Sequence, residues 1–306
     1  MVETYRLLTR GDIDGLASAA LLSELGLVNE VKFIHADDLL SGRIQVTSRD
    51  ILTDLPYMTG CHLAFDHHGA EIERAPVCSN LVLNSDSPSS SRLVFQHFGG
   101  PWVFPARLDP MLAAADRAAQ AGWTAADVLE PKGWALLAFL LDPRTGVERR
   151  GGFASAQTME FLNSLIEPMR HDSIESILAR PDVAARADIY RKEAPRFEEQ
   201  IGATARMEGE VVMVDFRHAD HIPAGNRFIA YALFPAARLS IRLGPTPDGR
   251  VMIACGRSIF DRTATIDIGA AMVHFGGTGH GRSGSCIVAA NQADSIVEDL
   301  LQRFRA

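Results

Sequence analysis

Long apolar runs are missing from this sequence: nothing in it approaches the roughly 18–20 consecutive apolar residues of a membrane-spanning helix, so no membrane partner is expected. The opening MVETYRLLTRGD lacks the charged-then-apolar layout of a secretory signal, and a cytoplasmic location is expected. Cysteine is scarce and unpatterned. Cys61, Cys78, Cys255 and Cys286 form no CxxC pair, which argues against a zinc ribbon or redox motif and for buried free thiols. Positive charge is also short, with 30 Lys+Arg against 38 Asp+Glu and a net charge of -8. Proteins that grip long nucleic acid gain that affinity by neutralising phosphates, so a long-duplex partner is disfavoured. An anionic substrate would be short and held locally, with a bound divalent cation supplying part of the positive charge. Repeats and low-complexity tracts are absent.

What is present is an alternation of short apolar runs and helical patterns over 306 residues, a length that favours two domains. YRLLT (5–9), EVKFIHA (30–36), CHLAFD (61–66) and NLVLN (80–84) read as strands. LASAALLSELG (16–26) and SPSSSRLVFQHFGG (87–100) read as helices, the second with capping serines. This order predicts an α/β domain with a mainly parallel sheet. The middle is helical: 111–122, 133–142 and 155–166 carry apolar residues at helical spacing. RADIYRKEAPRFEEQIGATA (186–205) is long, charged and broken by Pro195, which reads either as a connector or as a surface helix. A second α/β segment follows, with strands at 210–216, 238–244 and 251–258, the last two as a hairpin across PDG. Helices are expected at 225–234, at 267–277 running into a glycine-rich loop, and at the C-terminus.

Chemistry-bearing residues gather where strands end. Asp12 and Asp14 in GDIDG lie between a strand and a helix, the edge where parallel sheets bind ligands. Two carboxylates so close need a cation or hydrogen bonds; a solvated turn with a helix cap is the equal alternative. Asp66, His67 and His68 close another strand, and carboxylate with imidazole suits a borderline cation such as manganese. An inert polar strand end accounts for the triplet equally well. Asp54 in ILTDLPYMTG and Asp116 in the apolar start LAAADRAAQ add two acids, each also readable as surface. FGGTGHGRSGSC (275–286) offers close backbone approach to an anion, with His280 and Arg282 as donors, but lacks Walker or GxGxxG order. Arg257 ends a strand and could fork onto a phosphate. His35, Asp37 and Asp38 form a rival cluster ranked as structural, and RHADH (217–221) reads as a loop.

GDIDG, an isolated acid, DHHG, an acid in AADRA, and GGTGHGRSG, in that order, resemble the DHH phosphoesterases with a C-terminal DHHA1 domain (a superfamily that includes exopolyphosphatase-like, RecJ-like and oligoribonuclease-like members). The resemblance covers nearly the whole chain. It implies a DHH domain with a helical extension over 1–185, a connector over 186–206, and a smaller α/β DHHA1 domain over 207–306, with the active site in the cleft between the domains. It implies one or two Mn2+ ions, with Mg2+ as an alternative. Asp12, Asp14, Asp54, His67 and Asp116 would be metal ligands, with Asp54 shared. His68 would act on the phosphate or its water, with Asp66 orienting its neighbours, and Arg257, Gly277, Gly279 and His280 would hold substrate phosphate. Three positions depart from the pattern: Leu8 where many members carry histidine, Ala119 where many carry a second acid, and Thr278 in place of a glycine. The expected activity is hydrolysis of phosphoester bonds in short oligonucleotides, dinucleotides or nucleoside bisphosphates. Phosphoanhydride hydrolysis of the exopolyphosphatase kind and a catalytically decayed ligand-binding protein are the alternatives. A homodimer is left open.

Overall fold

YRLLT forms β1 (Tyr5–Thr9), with Leu7 and Leu8 fully buried. It is the second strand of a five-stranded sheet completed by β2 (Val28–Phe33), β3 (Asp50–Thr53), β4 (Leu63–Asp66) and β5 (Leu81–Leu83). The order is β2-β1-β3-β4-β5 and every pairing is parallel. These strands belong to a computed structural model that describes residues 3–68 and 78–305; Gly69 of DHHG lies outside the described residues. The chain divides into two units, Met1–Trp123 with Pro131–Ile189, and Thr124–Glu130 with Tyr190–Ala306.

In the first unit the chain leaves β1 for β2 on one side and returns to β3 on the other. The carboxyl ends of β1 and β3 therefore flank the point where strand order reverses, the ligand-binding crevice of open α/β sheets. Asp12 and Asp14 follow β1, Asp54 follows β3, and Asp66 ends β4. The helix after β1, Ile13–Glu24, is buried without a break from Ile13 to Leu22, so it runs inside the unit rather than along its surface. Gly15 in its first turn is obligatory, because a Cβ there would stand 1.9 Å from the Arg10 carbonyl oxygen.

β3 is absent from the sequence-based assignment, which has no strand between EVKFIHA and CHLAFD. DILT is four residues long and opens on an acid, so it carries no convincing apolar run. The acid is accommodated by pairing: Asp50 lies opposite Arg6 in the register and takes two hydrogen bonds from its guanidinium, at 2.6 and 2.9 Å. Pro195 does not break its helix, which is continuous over Pro181–Thr204. Proline removes one internal donor, but Tyr190 and Phe197 on either side are buried and hold the flanking turns.

The second unit is a six-stranded mixed sheet in the order β10-β11-β9-β8-β7-β6. β6 is Ala205–Glu208, unforeseen in the sequence. It is followed by β7 (Val211–Asp215), β8 (Leu239–Pro245), β9 (Val251–Arg257), β10 (Thr278–His280) and β11 (Ser283–Val288). Only β7–β8 is parallel, and β8–β9 is the expected hairpin. The helices Ile268–His274 and Ala293–Arg305 seal one face through Ile268, Met272, Val297 and Leu300. The glycine-rich segment is not a loose loop but the β10–β11 pair. A Cβ on Gly277 would come within 2.3 Å of the Ser285 carbonyl oxygen, and one on Gly279 within 2.5 Å of Gly284 Cα. No described helix is long and apolar enough to cross a membrane.

Candidate metal centre

Asp54 is the middle of the site. It leaves β3 with φ 56°, a left-handed conformation that few non-glycine residues adopt. Its amide donates to the Phe65 carbonyl (3.1 Å), which ties the strained residue to β4. The two oxygens of the buried carboxylate face different partners. Oδ1 lies 3.5 Å from His67 Nε2 and 3.7 Å from His68 Nδ1, whereas Oδ2 lies 3.5 Å from Arg10 Nε. Asp54, His67 and His68 can each present a ligand atom within 4.8 Å of the others.

Asp14 is buried in the first turn of its helix. Its two oxygens accept from the amides of Ser90 (3.0 Å) and Ser91 (2.9 Å), which open the Ser90–His97 helix. Asp12 caps the Ile13–Glu24 helix by accepting from the Gly15 amide (3.1 Å), and its other oxygen faces Arg10 at 3.7 Å. Asp66 accepts from the His68 amide (2.9 Å) and pairs with His68 Nδ1 (2.7 Å). Asp116 is held at the start of the Ser90–His97 helix: Ser89 Oγ donates to one oxygen (2.6 Å), and Arg92 Nε (3.0 Å) and Nη2 donate to the other. It is thus tied to the start of the helix whose amides hold Asp14.

Crowding of charge dominates the electrostatics. Burial, then Asp54 and Asp12, push Asp14 up to about 7. Burial and Asp54 likewise raise Asp12. Burial also works against Asp54, but the hydrogen bond from His67, the Arg10 guanidinium and the charge of His68 outweigh it and hold the carboxyl below its usual range. Burial opposes the charge on His67, but Asp54 and Asp14 still raise it. His68 is pushed up to about 9, first by its hydrogen bond to Asp66.

These shifts predict a pH dependence. Asp14 keeps, between its ordinary value of 3.8 and about 7, a proton that the unfolded chain has released, and His68 does so between 6.5 and about 9, so metal-free stability falls as pH rises through both windows. A divalent cation takes over the neutralisation, and its stabilising effect should grow over the same range. Melting temperatures should show the gap between Mn2+-loaded and metal-free protein widening by on the order of 5 °C from pH 5 to 9; a constant gap would refute the assignment.

Arg10 and the Ser89–Arg92 segment are the site residues that sequence reasoning missed. The serines are legible only as caps, and Arg10 only as a neighbour of GDIDG. Leu8, at the histidine position, is a fully buried core residue. Among the rival acids, Asp38 caps its own short helix through the His35 amide and pairs with Arg43. In RHADH, Arg217 is held by Asp215 and Asp294.

In the second unit Arg257 donates to the carbonyls of Ile266 (2.7 Å) and Thr265 (2.6 Å). His280 is exposed; its Nδ1 accepts from the Arg282 amide (3.3 Å) and its Nε2 lies 3.0 Å from Ser283 Oγ.

The donor set fits a divalent cation. Asp12 and Asp14, raised by burial and by neighbouring carboxylates, lie among oxygen and nitrogen atoms of the kind that ligate such an ion, and Asp54, His67 and His68 can bring ligand atoms together.

Among solved structures, a pGpG-specific phosphodiesterase, PggH, from Vibrio cholerae is 38% identical to this chain over 99% of both chains, with a TM-score of 0.85. RecJ from Thermus thermophilus in complex with Mn2+ is 15% identical and shares the fold at a TM-score of 0.58, over 98% of this chain and 52% of RecJ. CDC45 from Entamoeba histolytica is 10% identical over 99% of this chain and 96% of its own, with a TM-score of 0.50. No family model matches the chain, and a search of curated proteins finds no match.

Proposed function

Because the chain belongs to the DHH/DHHA1 phosphoesterase family and is a metal-dependent hydrolase of phosphoester bonds, we propose that its substrate is a short linear dinucleotide of the pGpG type, cleaved to mononucleotides. The observation that carries this reading is the 38% identity, over the full length, to an enzyme specific for pGpG. The net charge of -8 supports a short substrate over a long polyanion.

Asp54, His67 and Asp14 are proposed to hold the cation, with Asp12 flanking it. Manganese suits an imidazole among carboxylates, and the RecJ structure was obtained with Mn2+; magnesium is the alternative. When bound, the ion supplies Lewis acidity, acidifying water and drawing charge from the phosphoryl group. His68 keeps its proton because Asp66 holds Nδ1, so the opposite ring edge, Nε2, is the donor to a nonbridging phosphoryl oxygen. Asp116, gripped by Ser89 and Arg92, is proposed to fix the helix start whose amides hold Asp14. For the substrate's phosphate, Arg257, Gly277, Gly279 and His280 remain the proposed donors. Arg257 would exchange its two carbonyl partners for phosphate oxygens, a stronger charge-assisted pairing.

The test is purified protein with Mn2+ and pGpG, with products followed by chromatography. Water adds at phosphorus, the bond to the 3′ oxygen breaks, and two molecules of 5′-GMP should appear per pGpG. Faster phosphate release from polyphosphate, or faster digestion of long oligonucleotides, would overturn the proposal.

A further inference from the structure

The two sides of the Asp54 carboxylate differ in kind. Oδ1 faces the imidazoles of His67 and His68. Oδ2 faces a guanidinium: Arg10 Nε lies 3.5 Å from it and 3.7 Å from Asp12 Oδ2, so Arg10 sits between two of the acids. A pair of metal ions sharing Asp54 would need one ion on each oxygen. The position on the Oδ2 side is already taken by a positive charge that belongs to the chain.

We infer that Arg10 replaces a second metal ion in this centre, leaving one divalent cation on the imidazole side of Asp54 and a guanidinium on the other. The inference rests on the metal reading of the proposed function. Three features support it. Arg10 is in the loop directly after β1, two residues before Asp12, so the backbone delivers it to the sheet edge where the acids converge. The Gly15 contact with the Arg10 carbonyl allows no side chain, which holds that loop against the helix start. Contacts also divide the acids in the same way: Asp14 is held by the amides of Ser90 and Ser91, whereas Asp12 Oδ2 faces Arg10. A guanidinium cannot lose its proton in the working pH range, so the exclusion holds at every pH the enzyme meets. With 44% of its side chain exposed, Arg10 also keeps donors for a phosphate oxygen.

The inference is tested by metal stoichiometry, independent of turnover. Wild-type protein, Arg10→Ala and Arg10→Gln are dialysed to equilibrium against Mn2+, and bound metal is counted by elemental analysis. Low-temperature electron paramagnetic resonance then distinguishes isolated Mn2+ from exchange-coupled pairs. The wild type should hold one Mn2+ per chain with an isolated-ion spectrum. Both variants should take up a second ion and show coupling, and Arg43→Ala, a surface control paired with Asp38, should match the wild type. Two coupled ions in the wild type, or a single ion in both variants, would overturn the role of Arg10 and leave the phosphodiesterase reading standing. No bound ion in any of the proteins would overturn both.

Discussion

Asp54→Asn should reduce kcat/KM by about 10³-fold or more and abolish the rise in melting temperature that Mn2+ produces, with the fold intact. The fold survives because asparagine is among the residues that tolerate the left-handed backbone found at this position (φ 56°), and its amide can still donate to Phe65. What disappears is the one charge addressed by His67, His68 and Arg10 together. The cation loses its central carboxylate and the transition state loses several kcal/mol of charge stabilisation, which corresponds to about three orders of magnitude in rate. Circular dichroism checks the fold, and a thermal shift with and without Mn2+ reads out the site. Activity within tenfold of the wild type would exclude Asp54 from the centre.

Asp66→Asn should act through pH. His68 is held at about 9, with the hydrogen bond to Asp66 as the largest cause. A reaction that needs the protonated imidazole is fully supplied below that value and declines as pH rises through it. With an amide in place of the carboxylate, His68 falls toward the ordinary histidine range near 6.5. At pH 8 the protonated fraction, and with it kcat, should then drop by about 30-fold, whereas at pH 6 the loss should be slight. The alkaline limb of the rate profile should move down by about 2.5 units. A uniform loss at all pH values would mean that Asp66 serves structure rather than protonation.

The sequence is informative where residues act through local rules. β1 is legible at its observed ends because YRLLT is a buried apolar run followed by a glycine turn. The acids are legible because they stand at the ends of such runs. What escapes depends on contacts distant in sequence. β3 is hidden because Asp50 looks out of place in a strand until Arg6 is known to lie opposite it. Asp116 is legible only as a carboxylate in an apolar helix that needs a partner, and the fold brings partners from Ser89 and Arg92, more than twenty residues upstream. Arg10 goes unnoticed because a single arginine in a turn carries no pattern; only the convergence of Asp12 and Asp54 gives it a role. The glycines of 277–284 suggest mobility, yet their spacing serves a close strand pairing that no local rule reveals.

Leu8 constrains how the site can change. It packs in one apolar cluster with Ile34, Leu39, Leu52 and Leu55. Placing histidine there by a single substitution would strand an imidazole among hydrocarbon, at a cost of about 1–3 kcal/mol before any ion could reward it. The neighbours would have to change together for an imidazole at this position to serve as a ligand. The leucine therefore behaves as a lock: with the core closed over position 8, a single substitution there cannot add a ligand to the centre.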